Sequence, residues 1–273
     1  MAAGLWLRHE RSRYLNTRTP AIRAPTYDLL GVGISVLDLT DAVRRIIEAV
    51  EKNQRGYVCV TGVHGIMESQ DDESFRHILN AAFLCTPDGM PTVWMGKAAG
   101  HPNISRVYGP ELMLALMKAT QDKPVRHFLF GGSEGVADDL RAELEMRFPG
   151  VLITGTFTPP FRPLNQQETR ELQEKVGAAG ADIFWVGLST PKQERFMSEY
   201  LDKLDTSVMI GVGAAFDFHT GRVKQAPQWI QRSGLEWAYR VLREPKRLLR
   251  RYLNIVPRFL YLLIRRKCFA KTC

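Results

Sequence analysis

Asp182-Ile183-Phe184-Trp185-Val186-Gly187-Leu188-Ser189-Thr190-Pro191-Lys192-Gln193-Glu194 is the stretch whose reading decides the fold of this 273-residue chain. Its first half, Ile183 to Leu188, is an apolar run with β-branched and aromatic members. It is too short for a helix and does not alternate, which is the pattern of a strand buried on both faces. The second half turns polar, and Pro191 stands where a helix would begin, with a fixed φ and no N–H to leave unpaired. Strand, polar turn and helix start describe the carboxyl edge of a parallel α/β sheet, where ligands bind. Lys192 and Gln193 then lie beside free backbone N–H groups, a place suited to an anion. From this stretch alone an ordinary βα turn with solvated polar residues is the favoured reading, so the rest of the chain must decide.

Working outward, the same order recurs. Tyr27 to Ser35, with Gly31 and Gly33, reads as a first strand or hairpin arm. Ala42, Val43, Ile46, Ile47 and Val50 mark one buried helical face. Tyr57 to Val60 is a strand ending at Thr61 to Gly65, and Ile66 to Ala82 is helical in pattern. Phe83 to Cys85 ends at Thr86-Pro87-Asp88-Gly89, and Pro110 to Thr120 is a helix. Phe128 to Phe130 ends at Gly131-Gly132-Ser133-Glu134-Gly135, followed by a helix to Phe148. Val151 to Thr154, a helix over about 165–177 and Ser207 to Gly211 complete the series. Alternating strands and helices joined by short loops predict an α/β fold: a Rossmann-like, mostly parallel sheet with helices on both faces. The polar clusters all follow strands, so a parallel sheet brings them to one edge. Beyond about residue 227 the pattern becomes helical and basic. The expected organisation is a mobile basic extension over 1–25, a catalytic core over 26–227 and a basic helical appendage over 228–273.

The net charge of +8 is uneven. From Arg240 onward there are eleven Lys/Arg against the single acid Glu244, so this tail carries +10 and the 239 residues before it sum to −2. Such local basicity points to a binding surface. Leu249, Tyr252, Leu253, Val256, Phe259, Leu260 and Leu263 share one helical face, with Arg243, Arg247, Arg250, Arg251 and Arg258 on others, which suits an anionic membrane interface. A helix packed on its own core is the competing reading. Pro245 and Pro257 should divide the tail into segments. The strong apolar face and the lack of a recognised DNA- or RNA-binding motif argue against nucleic acid. No apolar run approaches the roughly 18–20 residues that span a bilayer. Four cysteines, Cys59, Cys85, Cys268 and Cys273, show no metal or redox spacing, and a reducing cytosol is the simplest home.

Several loop residues could carry chemistry. Asp88, between Pro87 and Gly89, could take a proton from an attacking hydroxyl, or could be a turn or N-cap aspartate. The glycine loop at 131, 132 and 135 suits a phosphate, or is a plain turn; it matches neither GxGxxG nor the Walker pattern. His64 could bind a ligand or simply be a hydrogen-bonded turn residue. Asp71-Asp72-Glu73 reads as a solvated acidic turn rather than a metal site.

Taken together, these motifs resemble those of the WecG/TagA/CpsF glycosyltransferase family over about residues 27–252. The specific parts are Pro87-Asp88-Gly89-Met90, Arg106 to Leu112, Gly131-Gly132, Pro191-Lys192-Gln193-Glu194, Gly211 to Asp217, Ala226 to Trp229, Gly234 to Arg240 and Glu244 to Arg247. The resemblance implies inverting transfer of a hexose or N-acetylhexosamine from a UDP-sugar to a polyprenyl-diphosphate-linked saccharide, at the inner face of the cytoplasmic membrane, in cell-surface polysaccharide synthesis. It implies Asp88 as base with Thr61 beside it. His64, Arg106, Gly131, Gly132, Gly135, Gln193 and Gly213 would face the nucleotide and sugar, and Arg240, Arg247 and Arg250 the lipid diphosphate. There is no clear DxD motif, so neither a metal nor a resident cofactor is expected. Where the family commonly has Thr-x-Asn, this chain reads Thr61-Gly62-Val63-His64, which leaves the donor open between N-acetylmannosamine and another UDP-hexose such as glucose. Association between copies of the chain also stays open. Two rivals are a different sugar-nucleotide enzyme, an oxidoreductase or epimerase, and a non-catalytic membrane-recruitment protein.

Overall fold

The computed structural model describes residues 18–243 and 245–270 of the chain. A hairpin of β1 (Thr26–Leu29) and β2 (Val32–Ser35) precedes a six-stranded sheet of β3 (Gly56–Thr61), β4 (Leu84–Pro87), β5 (Arg126–Gly131), β6 (Leu152–Phe157), β7 (Ile183–Gly187) and β8 (Val208–Gly211). The strand order is β4-β3-β8-β7-β5-β6, and every pair in it is parallel. The helices of the first half are α1 (Leu39–Glu51), α2 (Val63–Asp71), α3 (Glu73–Ala81), α4 (Met90–Ala98) and α5 (Gly109–Thr120). Those of the second half are α6 (Val136–Arg147), α7 (Gln166–Ala179), α8 (Lys192–Tyr200), α9 (Ala215–His219), α10 (Gln228–Arg232), α11 (Glu236–Arg243) and α12 (Pro245–Ala270).

Alternation along the buried strands divides the core in two. Leu129, Ile183, Trp185, Val208 and Ile210 pack with residues of α1, α5 and α6, including Ala42, Ile46, Leu112, Leu116 and Leu140. Phe128, Phe130, Phe184, Val186 and Met209 point the other way, onto α3, α7, α8 and the hairpin. Strands that are apolar at successive positions are therefore those covered on both faces. The expected Rossmann-like α/β architecture is what the chain adopts.

Local differences have local causes. The expected helix over 66–82 is two helices, because Asp72 takes an extended φ of −136° and caps the second, accepting the Phe75 N–H at 2.9 Å. The acidic turn there lies at the surface, as expected, and two of its carboxylates also pair with arginines. Asp71 takes both guanidinium nitrogens of Arg258, at 2.5 and 2.6 Å, and Asp72 pairs with Arg195. Pro257 does not interrupt the tail, because α12 runs through it as one 26-residue helix. Pro245 is the first residue of that helix, where a missing N–H costs nothing. The described part of the expected N-terminal extension, 18–25, lies against the sheet: Pro20 bridges Arg55, and Ala21 and Ala24 are buried.

Buried in the α1/α5/α6 half is a polar chain that sequence patterning did not single out. Trp185 Nε1 donates to His127 Nδ1 at 3.1 Å, which makes Nε2 the protonated nitrogen of a neutral ring. Nε2 lies 2.9 Å from Thr120 Oγ1, which itself donates to the Leu116 carbonyl at 2.7 Å. Burial pulls the His127 pKa down to about 3.

Candidate active site

The carboxyl ends of the strands converge as a parallel sheet requires. Asp88 leaves β4 with its N–H donated to the Thr61 carbonyl at 3.0 Å, which ties the tips of β4 and β3 together. Gly89 follows at φ +90°, a backbone that side-chain-bearing residues rarely adopt, and turns the chain into α4. The Val107 N–H donates to the Pro87 carbonyl at 2.9 Å, so the segment entering α5 is pinned beside the same tip. That bond is what sets Arg106 against Asp88, with Nη2 3.7 Å from Oδ1.

Arg106 is held from three sides. Its guanidinium lies 4.0 Å over the Tyr108 ring. Nη2 donates to Glu236 Oε2 at 2.5 Å, and Nη1 to Gln231 Oε1 at 3.3 Å. Tyr108 Oη donates to the other Glu236 oxygen at 3.1 Å. The side chains of Arg106 and Glu236 are only 13% and 15% exposed, so this is an interior contact between the sheet edge and the C-terminal helices. Arg106 Nε is buried and finds no partner among the described residues. Asp88 keeps 30% of its side chain open. Burial pushes its carboxyl up to about 6; Arg106 and Arg240 pull against that rise, and Glu236 and Glu111 add to it.

Thr61 lies at the end of β3 but is buried, with its hydroxyl 3.3 Å from the Cys85 thiol and 3.4 Å from the Cys59 carbonyl. It supports the Asp88 loop from below. Cys59 and Cys85, partners across β3 and β4, are free buried thiols. His64 is in the first turn of α2, its Nε2 3.2 Å from Glu68. Its pKa is lowered by burial and by Arg251 and Arg240, against the pull of Glu68, so both tail helices bring charge near it.

Gln193 is buried at the start of α8, and both ends of its amide are engaged. Oε1 accepts the Gly213 N–H at 3.0 Å, and Nε2 donates to Glu194 Oε1 at 3.0 Å. Glu194 also accepts from Thr190 at 2.8 Å, and burial raises its pKa. Gln193 thus clamps the ends of β7 and β8 together, with Gly213 at the clamp. The glycines after β5 also have an internal reason. A Cβ on Gly131 would lie 2.5 Å from the Gly187 carbonyl oxygen, and one on Gly132 would lie 2.7 Å from Val136 Cβ. At Gly135, the left-handed N-cap of α6, there is open space.

Of the three tail arginines, Arg240 is half-buried with its guanidinium 6.0 Å over the Phe218 ring, and it bears electrostatically on Asp88. Arg250 is exposed, and the Arg247 side chain lies outside the described residues. The structure therefore brings Asp88, Thr61, Arg106, His64 and Arg240 to the β3/β4 end of the edge, and Gln193 and Gly213 to β7/β8. Gly131, Gly132 and Gly135 follow at β5. Sequence reasoning missed Glu236, Gln231 and Tyr108 as site residues. The available signal was an acid, Glu236, placed just before an otherwise basic tail.

The C-terminal helices cover this end of the sheet in a divided manner. Leu248 and Phe259 are buried, and Ile255, Leu262 and Leu263 pack partly against the core. Leu242, Leu249, Leu253, Leu260, Tyr261 and Ile264 stay exposed. The single apolar face expected of 249–263 is thus split: Phe259 and Leu263 turn inward, Leu249, Leu253 and Leu260 outward. Among the described residues no helix is long and apolar enough to cross a membrane, and no group of three or more His, Cys, Asp or Glu is placed to hold a metal.

Residues 27–272 match the profile of the Glycosyl transferase WecG/TagA/CpsF family. The chain belongs to this family. It is also similar to an N-acetylglucosaminyldiphosphoundecaprenol N-acetyl-beta-D-mannosaminyltransferase of Bacillus spizizenii strain W23. The two are 30% identical over 206 residues, which cover 76% of this chain and 78% of the relative. The chain is a glycosyltransferase of that family. The oxidoreductase or epimerase alternative falls away with this membership.

Proposed function

We propose that the chain is an inverting glycosyltransferase that moves a hexose or N-acetylhexosamine from a UDP-sugar to a saccharide carried on a polyprenyl diphosphate. The observation that carries this reading is the pairing of Asp88, a carboxylate pushed up toward neutral pH, with a half-committed Arg106 at the sheet's carboxyl edge. The named relative acts on a sugar attached to diphosphoundecaprenol, which supports the acceptor class. In a single displacement the acceptor hydroxyl attacks C1, its proton passes to Asp88, and the C1–oxygen bond to UDP breaks. One base is enough, and the anomeric configuration inverts. Arg106 and backbone N–H groups of the glycine loop would meet the departing diphosphate, with no metal or resident cofactor. Thr61 and Gln193 hold the loops that would meet the ligand, and His64 would face the donor sugar.

Arg240, Arg247 and Arg250 would meet the lipid diphosphate, while the outward Leu249, Leu253, Leu260 and Ile264 rest in the headgroup region of the inner membrane face. The 26–227 core and the 228–273 appendage would then be a chemical unit and its closure.

The test is transfer of labelled sugar from a panel of UDP-hexoses and UDP-N-acetylhexosamines to a short-chain polyprenyl-diphosphate-linked saccharide, with and without chelator. Lipid-linked product that is lost in D88N and indifferent to chelator is expected. Lack of transfer from every donor in the panel, with a folded protein, overturns the reading.

A further inference from the structure

One guanidinium at the site is shared between two carboxylates, and the sharing is unequal. Arg106 Nη2 is 2.5 Å from Glu236 and 3.7 Å from Asp88. Glu236 is itself held in place. Its second oxygen is taken by the Tyr108 hydroxyl, and Gln231, from α10, steadies the other guanidinium nitrogen. All of these contacts cross from the C-terminal helices to the segment that enters α5.

Without Glu236, only the 3.3 Å contact to Gln231 and the Tyr108 ring would oppose Arg106 closing the gap to Asp88. A carboxylate in a close arginine pair has its lone pairs occupied and its proton affinity lowered, and makes a poor base. We propose that Glu236 is a positioning residue for the base: carried in by α11, it holds the Arg106 guanidinium off Asp88 and leaves that carboxylate free to take a proton. This rests on the base role given to Asp88 above.

The charges around Asp88 are of both signs, and the two carboxylates act to raise its proton affinity. From the strand-edge side come Arg106 and, from the first turn of α5, Glu111; from α11 come Glu236 and Arg240. Tyr252 of α12 also senses Asp88 and Glu236, and Tyr108 senses both. Glu236 and Arg240 are one turn apart on α11, so the docked helix adds one charge of each sign. Losing Glu236 alone leaves two arginines facing Asp88 and Glu111. The Asp88 midpoint should then fall.

The experiment uses the full chain labelled with ¹³C at aspartate carboxyls, with the Asp88 resonance assigned by its loss in D88N. The Asp88 titration midpoint is read in the parent, E236Q and E236D, with hydrogen exchange over 236–243 as a gauge of docking. E236Q keeps the shape: its amide oxygen can accept from Arg106 while its NH2 donates to the Tyr108 hydroxyl oxygen. Its midpoint is expected to fall by about half a unit to one unit while α11 stays protected. E236D, which keeps the charge, should stay nearer the parent. In transfer assays the acid limb of the pH–rate profile should move with the midpoint. An unchanged midpoint in E236Q makes Glu236 a simple latch and overturns the proposal. So does a fall seen only together with loss of α11 protection, since burial rather than the Glu236 charge would then set the value. The midpoint is read without turnover. If the parent transfers no sugar, the proposed reaction fails, yet this result still shows whether Glu236 controls Asp88.

Discussion

Replacing Asp88 by Asn should make the protein inactive and, at neutral pH, more stable. The structure lifts this carboxyl from its ordinary value of 3.8 to about 6, mainly by burial. The folded state therefore favours the protonated form, and ionising Asp88 works against folding. The shift is about two units, and each unit is worth about 1.4 kcal/mol, so the cost reaches about 3 kcal/mol at full ionisation. The side chain is 30% open to solvent, and screening there reduces the figure to about 1–3 kcal/mol. The sign follows from the two pKa values. Below about pH 4 both folded and unfolded chains hold the proton and no difference exists; between about 4 and 6 the cost grows; above about 6 it is complete. An asparagine never ionises and never incurs it.

The assay is denaturant unfolding of parent and D88N at several pH values, alongside transfer. D88N should match the parent near pH 4 and exceed it by about 1–3 kcal/mol at pH 7.5, a rise of roughly 3–8 °C in Tm. Turnover should drop by roughly two to four orders of magnitude, the usual worth of a positioned base. If D88N is no more stable than the parent at pH 7.5, the carboxylate is well solvated and the argument for a tuned base fails. If it keeps near-normal turnover, Asp88 is a turn residue and no more.

Three further outcomes follow from the same structure. His127 has a pKa lowered to about 3, so its stabilising contribution is complete above its unfolded value near 6.5 and fades as pH falls below that. His127→Gln, which can still accept from Trp185 and donate to Thr120, should flatten the loss of stability between about pH 6.5 and 4, read by acid unfolding; an unaltered slope refutes the assignment. Leu253→Ser with Leu260→Ser, both on the outward face of α12, should weaken binding to anionic vesicles by roughly tenfold or more in a sedimentation assay. Transfer to a short soluble acceptor should be unchanged, and equal vesicle binding would count against the lipid-facing role. A chain ended at Pro227 should keep its sheet, seen by circular dichroism, but lose transfer to any acceptor by at least roughly two orders of magnitude, because Arg106 then loses Glu236 and Gln231.

How much of this was legible in the sequence depends on the range of the interaction concerned. The strands announced themselves because both faces are covered: Ile183 to Val186 is apolar at every position, and the alternation only decides which half of the core each residue joins. The ends of those strands were equally plain, since polar residues after a buried run have nowhere else to go. The break at Asp72 was hidden by apolar spacing that continues through Ile66, Phe75 and Leu79, all buried. Its own signal was the capping aspartate. Pro257 misled in the other direction, because a proline inside a long helix costs one hydrogen bond and α12 has Leu248 and Phe259 buried on either side of it. Gln193 and Gly131 were visible as motif residues, but not their work. Only the folded structure shows that the amide is committed to Gly213 and Glu194, and that the glycine is required by Gly187.

The partner of Arg106 is the clearest case of what sequence spacing cannot carry. Arg106 and Glu236 are separated by 130 positions, and in sequence each has an innocent local reading: a loop arginine and a first-turn helix acid. Their contact exists because Val107 is pinned to Pro87 and because Leu248 and Phe259 bury α12 and so carry α11 to the sheet edge. The tail's charge count therefore understates it. A basic, amphipathic tail would suit the proposed attraction to lipid, and its net positive charge would serve that end without an acid at the site. An acid placed 15% exposed against an arginine of the core serves a different end. On the proposal above, it would make the state of the base depend on whether the appendage is docked, so that Asp88 would have its full basicity only when the helices proposed to meet the lipid are also closed over the site.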